Sequence, residues 1–209
     1  MLLVYTARQL RTGRKNAMIV VFVGPTAAGK STVMDVYVEA KGAERMTSTT
    51  ERDPRDSDRV REYEHLDPQT FNDQLKAGAF CWHDKVRGKQ YGTRFTVVDA
   101  GLLSPEIHVC ALTFKGLEIL LNQQRALGGT VVCVYLLIED GEEWIRRLQQ
   151  RKITGEEIEK ERIVLHQWNE RALSFGGNLH IINTTDMSVA AVVQTVDQIL
   201  KQSSRGPAH

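Results

Sequence analysis

An α/β fold built on a parallel sheet flanked by helices on both faces is the class this chain predicts, on three observations. Apolar runs at 18–23, 108–113, 130–138 and 179–183 have strand length and little alternation, the pattern of strands buried on both sides. Between them lie segments of helical length with charged faces. The first run leads straight into a glycine-rich turn and a helix start, so the chain opens as strand, turn, helix.

Each element follows in order. Met18-Ile-Val-Val-Phe-Val23 is the first strand, and Lys30 to about Lys41 the first helix. Glu44 to Thr50 reads as extended. The stretch 51–62 is polar and charged and reads as loop. Residues 63–66 form a short strand. Asp67-Pro68 opens a helix to about Lys76, with Asp67 as N-cap and Pro68 at the first helical position. Phe80 to His83 and Val86 to Thr93 read as strands paired around Gly88. The βα rhythm then returns: strand 108–113, helix 114–126, a turn at Gly128-Gly129, strand 130–138, helix 142–151, a loop at 152–155, helix 156–174, strand 179–183 and helix 188–201. Residues 50–95 interrupt that rhythm. They are expected to be a lobe inserted into a core of 18–49 and 96–202.

Composition narrows the function classes. The 209 residues are 42% hydrophobic, enough for one core with a lobe. A net charge of +1 makes no global electrostatic case for nucleic acid or a membrane surface. No run approaches the roughly 18 apolar residues of a spanning helix. Cys81, Cys110 and Cys133 are far apart, which fits a reducing, cytoplasmic setting and argues against disulfides and structural zinc. Residues 1–17 carry Arg8, Arg11, Arg14 and Lys15 and no acid. That composition suits a transit peptide or a disordered extension before Met18; the extension is the expectation, with a disordered tail over 203–209. Monomer and homodimer both stay open.

The most specific motif is Gly24-Pro25-Thr26-Ala27-Ala28-Gly29-Lys30-Ser31-Thr32, which satisfies G-x-x-x-x-G-K-[ST]. A glycine loop between a strand and a helix start turns backbone N–H groups toward an anion, and the helix dipole adds partial positive charge. Lys30 is expected to reach the β- and γ-phosphates of ATP, and the Ser31 hydroxyl to bind Mg²⁺. These nine residues are the candidate ATP site.

The segment after the loop resembles the guanylate kinase family. Ser48-Thr49-Thr50-Glu51-Arg52-Asp53-Pro54-Arg55 is similar to its signature, in which Ser, Arg and Pro-Arg line the acceptor nucleotide. Glu62-Tyr63 stands where that family has Asp-Tyr, and Gly88-Lys89-Gln90-Tyr91-Gly92-Thr93 resembles its G-N-x-Y-G-[TS] strand. Arg147-Leu148-x-x-Arg151 and Arg162 match the spacing of its lid, and Asn183 lies where it places an adenine-side asparagine. The resemblance runs from about Val20 to Leu200. It implies an ATP- and Mg²⁺-dependent kinase acting on nucleotide substrates. Lys30, Arg151 and Arg162 would be catalytic, Arg147 and Asn183 would join the ATP site, and Ser48, Arg52, Arg55, Tyr63, Trp82, Tyr91 and Thr93 would line the acceptor. Positive charge and positioning are what phosphoryl transfer asks of a protein. Taken singly, Arg147, Arg151 and Arg162 also read as a solvated helix face paired with Glu143 or Glu157, Arg52 and Arg55 as a charged surface loop, and Tyr91 as a strand aromatic.

Two departures bear on the acceptor. Phe80-Cys81-Trp82-His83-Asp84 covers the family's F-[IL]-E-W-A, so Trp82 replaces the glutamate that reads guanine. Ala111 and Thr113 replace its D-x-D aspartates. A buried guanine donor without an acceptor costs about 1–3 kcal/mol, so the base is open: (d)GMP, or another, possibly modified, monophosphate. Trp82 also reads as core. Two alternatives remain. One is a relative of the ribose 1,5-bisphosphate phosphokinases, which lack the same glutamate. The other is a non-catalytic guanylate-kinase-like binding domain, which usually lacks the loop lysine that Lys30 supplies here.

Overall fold

The computed structural model describes residues 17–56, 58–177 and 179–203. The extension expected over 1–17 and the tail expected over 203–209 lie outside the described residues, except for Ala17 and Ser203. Ala17 is buried, and its carbonyl accepts the Thr130 N–H at 2.9 Å.

Two sheets organise these residues. The larger has the order β2(Glu44–Arg45)-β7(Ile107–Ala111)-β1(Met18–Val23)-β8(Thr130–Leu137)-β9(Leu179–Asn183). Glu44 aligns in parallel with His108, and Cys133 with Leu179. Helices flank this sheet, as the βα rhythm requires. The smaller sheet has the order β4(Tyr63–His65)-β3(Ser48–Thr50)-β6(Lys89–Arg94)-β5(Phe80–Val86). Arg87 and Gly88 turn β5 into β6, both at positive φ.

The chain divides into two compact units. One holds residues 20–41, 111–113 and 132–203. Its centre is the apolar stretch Val20–Val23 with Val134, Tyr135, Leu136 and Ile138, all without solvent contact. Around it stand α1(Lys30–Lys41), α5(Glu142–Gln150), α6(Glu156–Ser174) and α7(Val189–Ser203). Glu142 and Glu143 open α5 and Glu156, Glu157 and Glu159 open α6, acids placed at the positive ends of helix dipoles. The Tyr37 hydroxyl of α1 donates to Asp197 of α7 at 2.7 Å, and Lys41 Nζ does the same at 2.7 Å.

The other unit holds residues 17–19, 42–110 and 114–131. It takes in the smaller sheet with α2(Pro68–Lys76), α3(Phe95–Leu103) and α4(Phe114–Leu127). Asp67 caps α2 by accepting the Thr70 N–H at 2.9 Å, with Pro68 at its first position. Phe71 of α2 stacks on Phe80 of β5 with ring centroids 4.7 Å apart.

Some boundaries differ from the sequence reading. Helix α3 has no counterpart there: its N-cap is Arg94, which makes no side-chain cap bond, and Thr96, Val97 and Val98 are β-branched. Strand β7 stops at Ala111, so Thr113 is outside it. Helix α5 ends at Gln150, leaving Arg151 as its C-cap. The lid that the resemblance implies, about 151–162, takes in the first turns of α6.

Candidate active site

The Gly24–Thr32 loop is shaped by backbone that only some residues tolerate. Gly24 has φ +155°, and a Cβ there would sit 2.6 Å from the Leu136 carbonyl oxygen. Gly29 has φ +95° and Ala27 φ +66°. Ala27 stands where a glycine would carry no left-handed penalty. Lys30 Nζ folds across the loop and donates to the carbonyls of Gly24 at 2.7 Å and Pro25 at 2.8 Å. Ser31 follows at the helix start, half-buried.

Beside this loop lies a cavity of about 330 Å³, lined by Ala27, Ala28, Gly29 and Thr32, by Arg147 and Arg151, and by Thr184. Glu143 holds both arginines of the α5 face: Arg146 Nε at 2.7 Å and Arg147 Nε at 2.7 Å. Those bonds pull the Glu143 carboxyl down to about 2, Arg146 contributing most. Arg147 also reaches the carbonyls of Ala27 at 3.4 Å and Thr184 at 3.3 Å. It therefore ties the loop to the end of β9. Trp144, fully buried, donates its indole N–H to the Thr26 carbonyl at 3.2 Å.

Two expected donor-side residues stand elsewhere in this unit. Arg162 pairs through Nε with Asp140 at 2.7 Å and through an η nitrogen with Glu159 at 2.5 Å. Asn183 is not among the cavity-lining residues. Its amide donates to Glu139 at 2.6 Å, and its oxygen accepts from the Thr185 N–H and hydroxyl. Thr184, its neighbour, lines the cavity and had no sequence signal.

The expected acceptor residues belong to the other unit. The registers Ser48↔Tyr63, Thr50↔Tyr91 and Trp82↔Thr93 put Ser48, Tyr63, Trp82, Tyr91 and Thr93 on one face of the smaller sheet. Arg52 is buried, with its guanidinium 4.5 Å above the Tyr63 ring. Tyr91 meets Tyr63 edge-on at 6.0 Å. Burial pushes the Tyr63 phenol up to about 12, with Glu62 adding to the effect. Arg52 is gripped by Asp58, a residue the sequence did not single out, at 2.5 and 2.8 Å. The Arg55 side chain is exposed, while its backbone N–H donates to Asp58 at 2.9 Å.

Trp82 is only 5% exposed. A Cβ on Gly116 of α4 would lie 3.1–3.3 Å from three indole carbons, so the ring lies flat on that glycine. That ring face is spent on packing, as the core reading of Trp82 expects. Ala111 is half-buried at the end of β7.

Among the described residues, no helix is long and apolar enough to cross a membrane. No group of three or more His, Cys, Asp or Glu among them is placed to hold a metal.

Known proteins bear on this arrangement. The AAA domain model matches residues 19–174. The guanylate kinase of Chlorobaculum tepidum is 29% identical over 189 residues, covering 88% of this chain and 94% of that protein. That of Chlorobium chlorochromatii is 26% identical over 179 residues, covering 83% and 90%. The crystal structure of guanylate kinase from Anaplasma phagocytophilum superposes with a TM-score of 0.61 at 15% identity, over 93% of this chain and 89% of that one, a likeness of fold. With the family model matched over most of its length and guanylate kinases as its relatives, the chain belongs to the AAA domain family of P-loop proteins and is guanylate kinase-like.

Proposed function

We propose that the protein transfers the γ-phosphoryl group of ATP to the phosphate of (d)GMP or a related nucleoside monophosphate. The observation that carries this reading is the Gly24–Thr32 loop, turned by positive φ at Gly24, Ala27 and Gly29, with Lys30 lying across it. An ATP phosphate chain entering the loop would take the place of the Gly24 and Pro25 carbonyls as the partner of Lys30. The cavity beside the loop, with Arg147 and Arg151 in its wall, suits the nucleoside of the donor. Lys30, Arg151 and Arg162 are the proposed cations for charge building up in transfer. Arg162 must leave Asp140 and Glu159 to serve. Ser31 is the side chain that fits Mg²⁺, whose other ligands would be phosphate oxygens and water, the set this ion prefers. Mg²⁺ supplies charge neutralisation when bound.

A second reading is favoured by one observation. Trp82 packs on Gly116 where the resemblance calls for a base-reading carboxylate, which suits a smaller acceptor of the ribose 1,5-bisphosphate type. An ADP-release assay over all ribo- and deoxynucleoside monophosphates and ribose 1,5-bisphosphate decides between them. GMP or dGMP as the best acceptor supports the first reading, and the sugar bisphosphate the second. Release from no acceptor overturns both. Lys30→Ala is expected to stop transfer and keep the fold, because its contacts act in the transition state. Retained turnover in folded Lys30→Ala protein sinks the loop assignment.

A further inference from the structure

The carboxylate of Asp58 is held as a bound anion would be. Arg52 donates to its two oxygens at 2.5 and 2.8 Å, and the Arg55 N–H donates at 2.9 Å. His65 Nε2 lies 3.3 Å from Oδ2. The other ring nitrogen, Nδ1, is 2.9 Å from the Arg52 carbonyl oxygen, which can only accept, so Nδ1 carries a proton. Nε2 can then donate to Asp58 only when the ring is an imidazolium. Among the described residues, the charged and titratable groups against the ring are Asp58, the Arg52 guanidinium and the Tyr63 phenol, whose ring centroid is 5.9 Å away. Burial alone would raise the Asp58 carboxyl, but the bonds from Arg52 and the Arg55 N–H hold it below the usual carboxylate range.

The donors and the carboxylate are anchored differently. Arg52 is buried between the carbonyl of Asp53 at 2.8 Å and the ring of Tyr63. His65 sits on β4, aligned with Thr50 of β3. Asp58 belongs to the polar stretch between them, where Val60 is 89% exposed and Arg61 has φ +60°. The Arg55 N–H lies on the same stretch, so a movement there would carry the carboxylate away from Arg52 and His65 while those two kept their anchors.

We propose that Asp58 is an internal stand-in for the phosphate of the acceptor, and that His65 is a second cationic contact for that phosphate. This rests on reading this unit as the acceptor site. An acceptor phosphate displaces Asp58, takes its bonds from Arg52 and the Arg55 N–H, and faces the imidazolium of His65. A site occupied from within binds its ligand more weakly by the fraction of time it stands open.

Inorganic phosphate is the probe, titrated calorimetrically into the full chain with the Gly24–Thr32 loop first saturated by a non-hydrolysable ATP analogue and Mg²⁺. Asp58→Asn is expected to tighten phosphate binding by about fivefold or more. His65→Gln is expected to weaken it by a similar factor and to remove the part of its pH dependence that exceeds the phosphate's own ionisation near pH 6. Analogue affinity stays unchanged in both. If Asp58→Asn is poorly stable, its melting temperature is expected to rise more with phosphate than the parent's, because the ion fills the vacated cage. Equal or weaker phosphate binding by Asp58→Asn, without a larger phosphate-induced rise in melting temperature, overturns the stand-in. A pH profile unchanged in His65→Gln overturns the second contact. Failure of the analogue to bind tells against the kinase reading instead, and the difference between Asp58→Asn and the parent still reads the stand-in.

Discussion

Ala27 holds a left-handed backbone in the middle of the phosphate-binding loop, with φ +66°. An L-residue pays roughly 1–2 kcal/mol there. Ala27→Gly removes that cost and adds some freedom to the unfolded chain. A net gain of up to about 1 kcal/mol is expected from the two effects, read as a higher urea midpoint. Gly24 is the opposite case. Its absent Cβ would press within 2.6 Å of a backbone carbonyl that cannot step aside. Gly24→Ala is expected to cost about 1–3 kcal/mol and to lower ATP affinity together with the urea midpoint. An affinity that survives in a fully stable variant would show that the loop accommodates the methyl. The loop itself was legible in the sequence, because its residues are consecutive and its geometry is local.

At the scale of elements, the strand β5 shows what periodicity misses. Simple alternation would put Phe80 and Trp82 on one face. The register shift between them turns Phe80 toward Phe71 of α2 and leaves Trp82 opposite Thr93. Nothing in the order of residues announces that bulge. Trp82→Ala is expected to cost about 3–5 kcal/mol, as the indole leaves a cavity over Gly116, and Gly116→Ala about 1–3 kcal/mol by overpacking. Denaturant unfolding of each variant checks both.

The α1–α7 clasp carries a pH signature. Burial alone would raise the Asp197 carboxyl, but the bonds from Lys41 and Tyr37 hold it below its ordinary value. A carboxyl lowered in the folded state stabilises fully above its unfolded value near 3.9, and the gain is lost as pH falls through the folded value. Asp58 behaves with the same sign. Melting temperature is therefore expected to fall in acid, below about pH 4, and to fall less steeply in Asp197→Asn. An acid limb of equal slope in that variant would show that the clasp does not carry it.

For the whole molecule, motion around bound nucleotide is the testable quantity. The chain between α5 and α6 contains Lys152 at φ +61° and Gly155 at φ +56°, a connector with two residues at positive φ next to Arg151. Such connectors serve as hinges for closure over a substrate. Hydrogen exchange over 151–162 is expected to slow when an ATP analogue and the acceptor are both present. Equal exchange with and without ligands would argue that nothing closes there.

The sequence by itself determined the α/β class, the succession along the chain of strands β1, β7, β8 and β9, the loop of Gly24–Thr32 and the cap of α2. Each depends on residues within a turn or two of one another, where dihedral preference, capping and apolar period act directly. Tertiary structure decided the rest. Helix α3 forms despite β-branched residues because Val98 and Leu102 are buried. Arg147 reaches Ala27 and Thr184, 120 and 37 residues away along the chain. Asp58 and His65 close on Arg52 from a loop and a strand, 6 and 13 residues along the chain. Such contacts arise from which surfaces meet in the folded chain, and packing settles that against local preference.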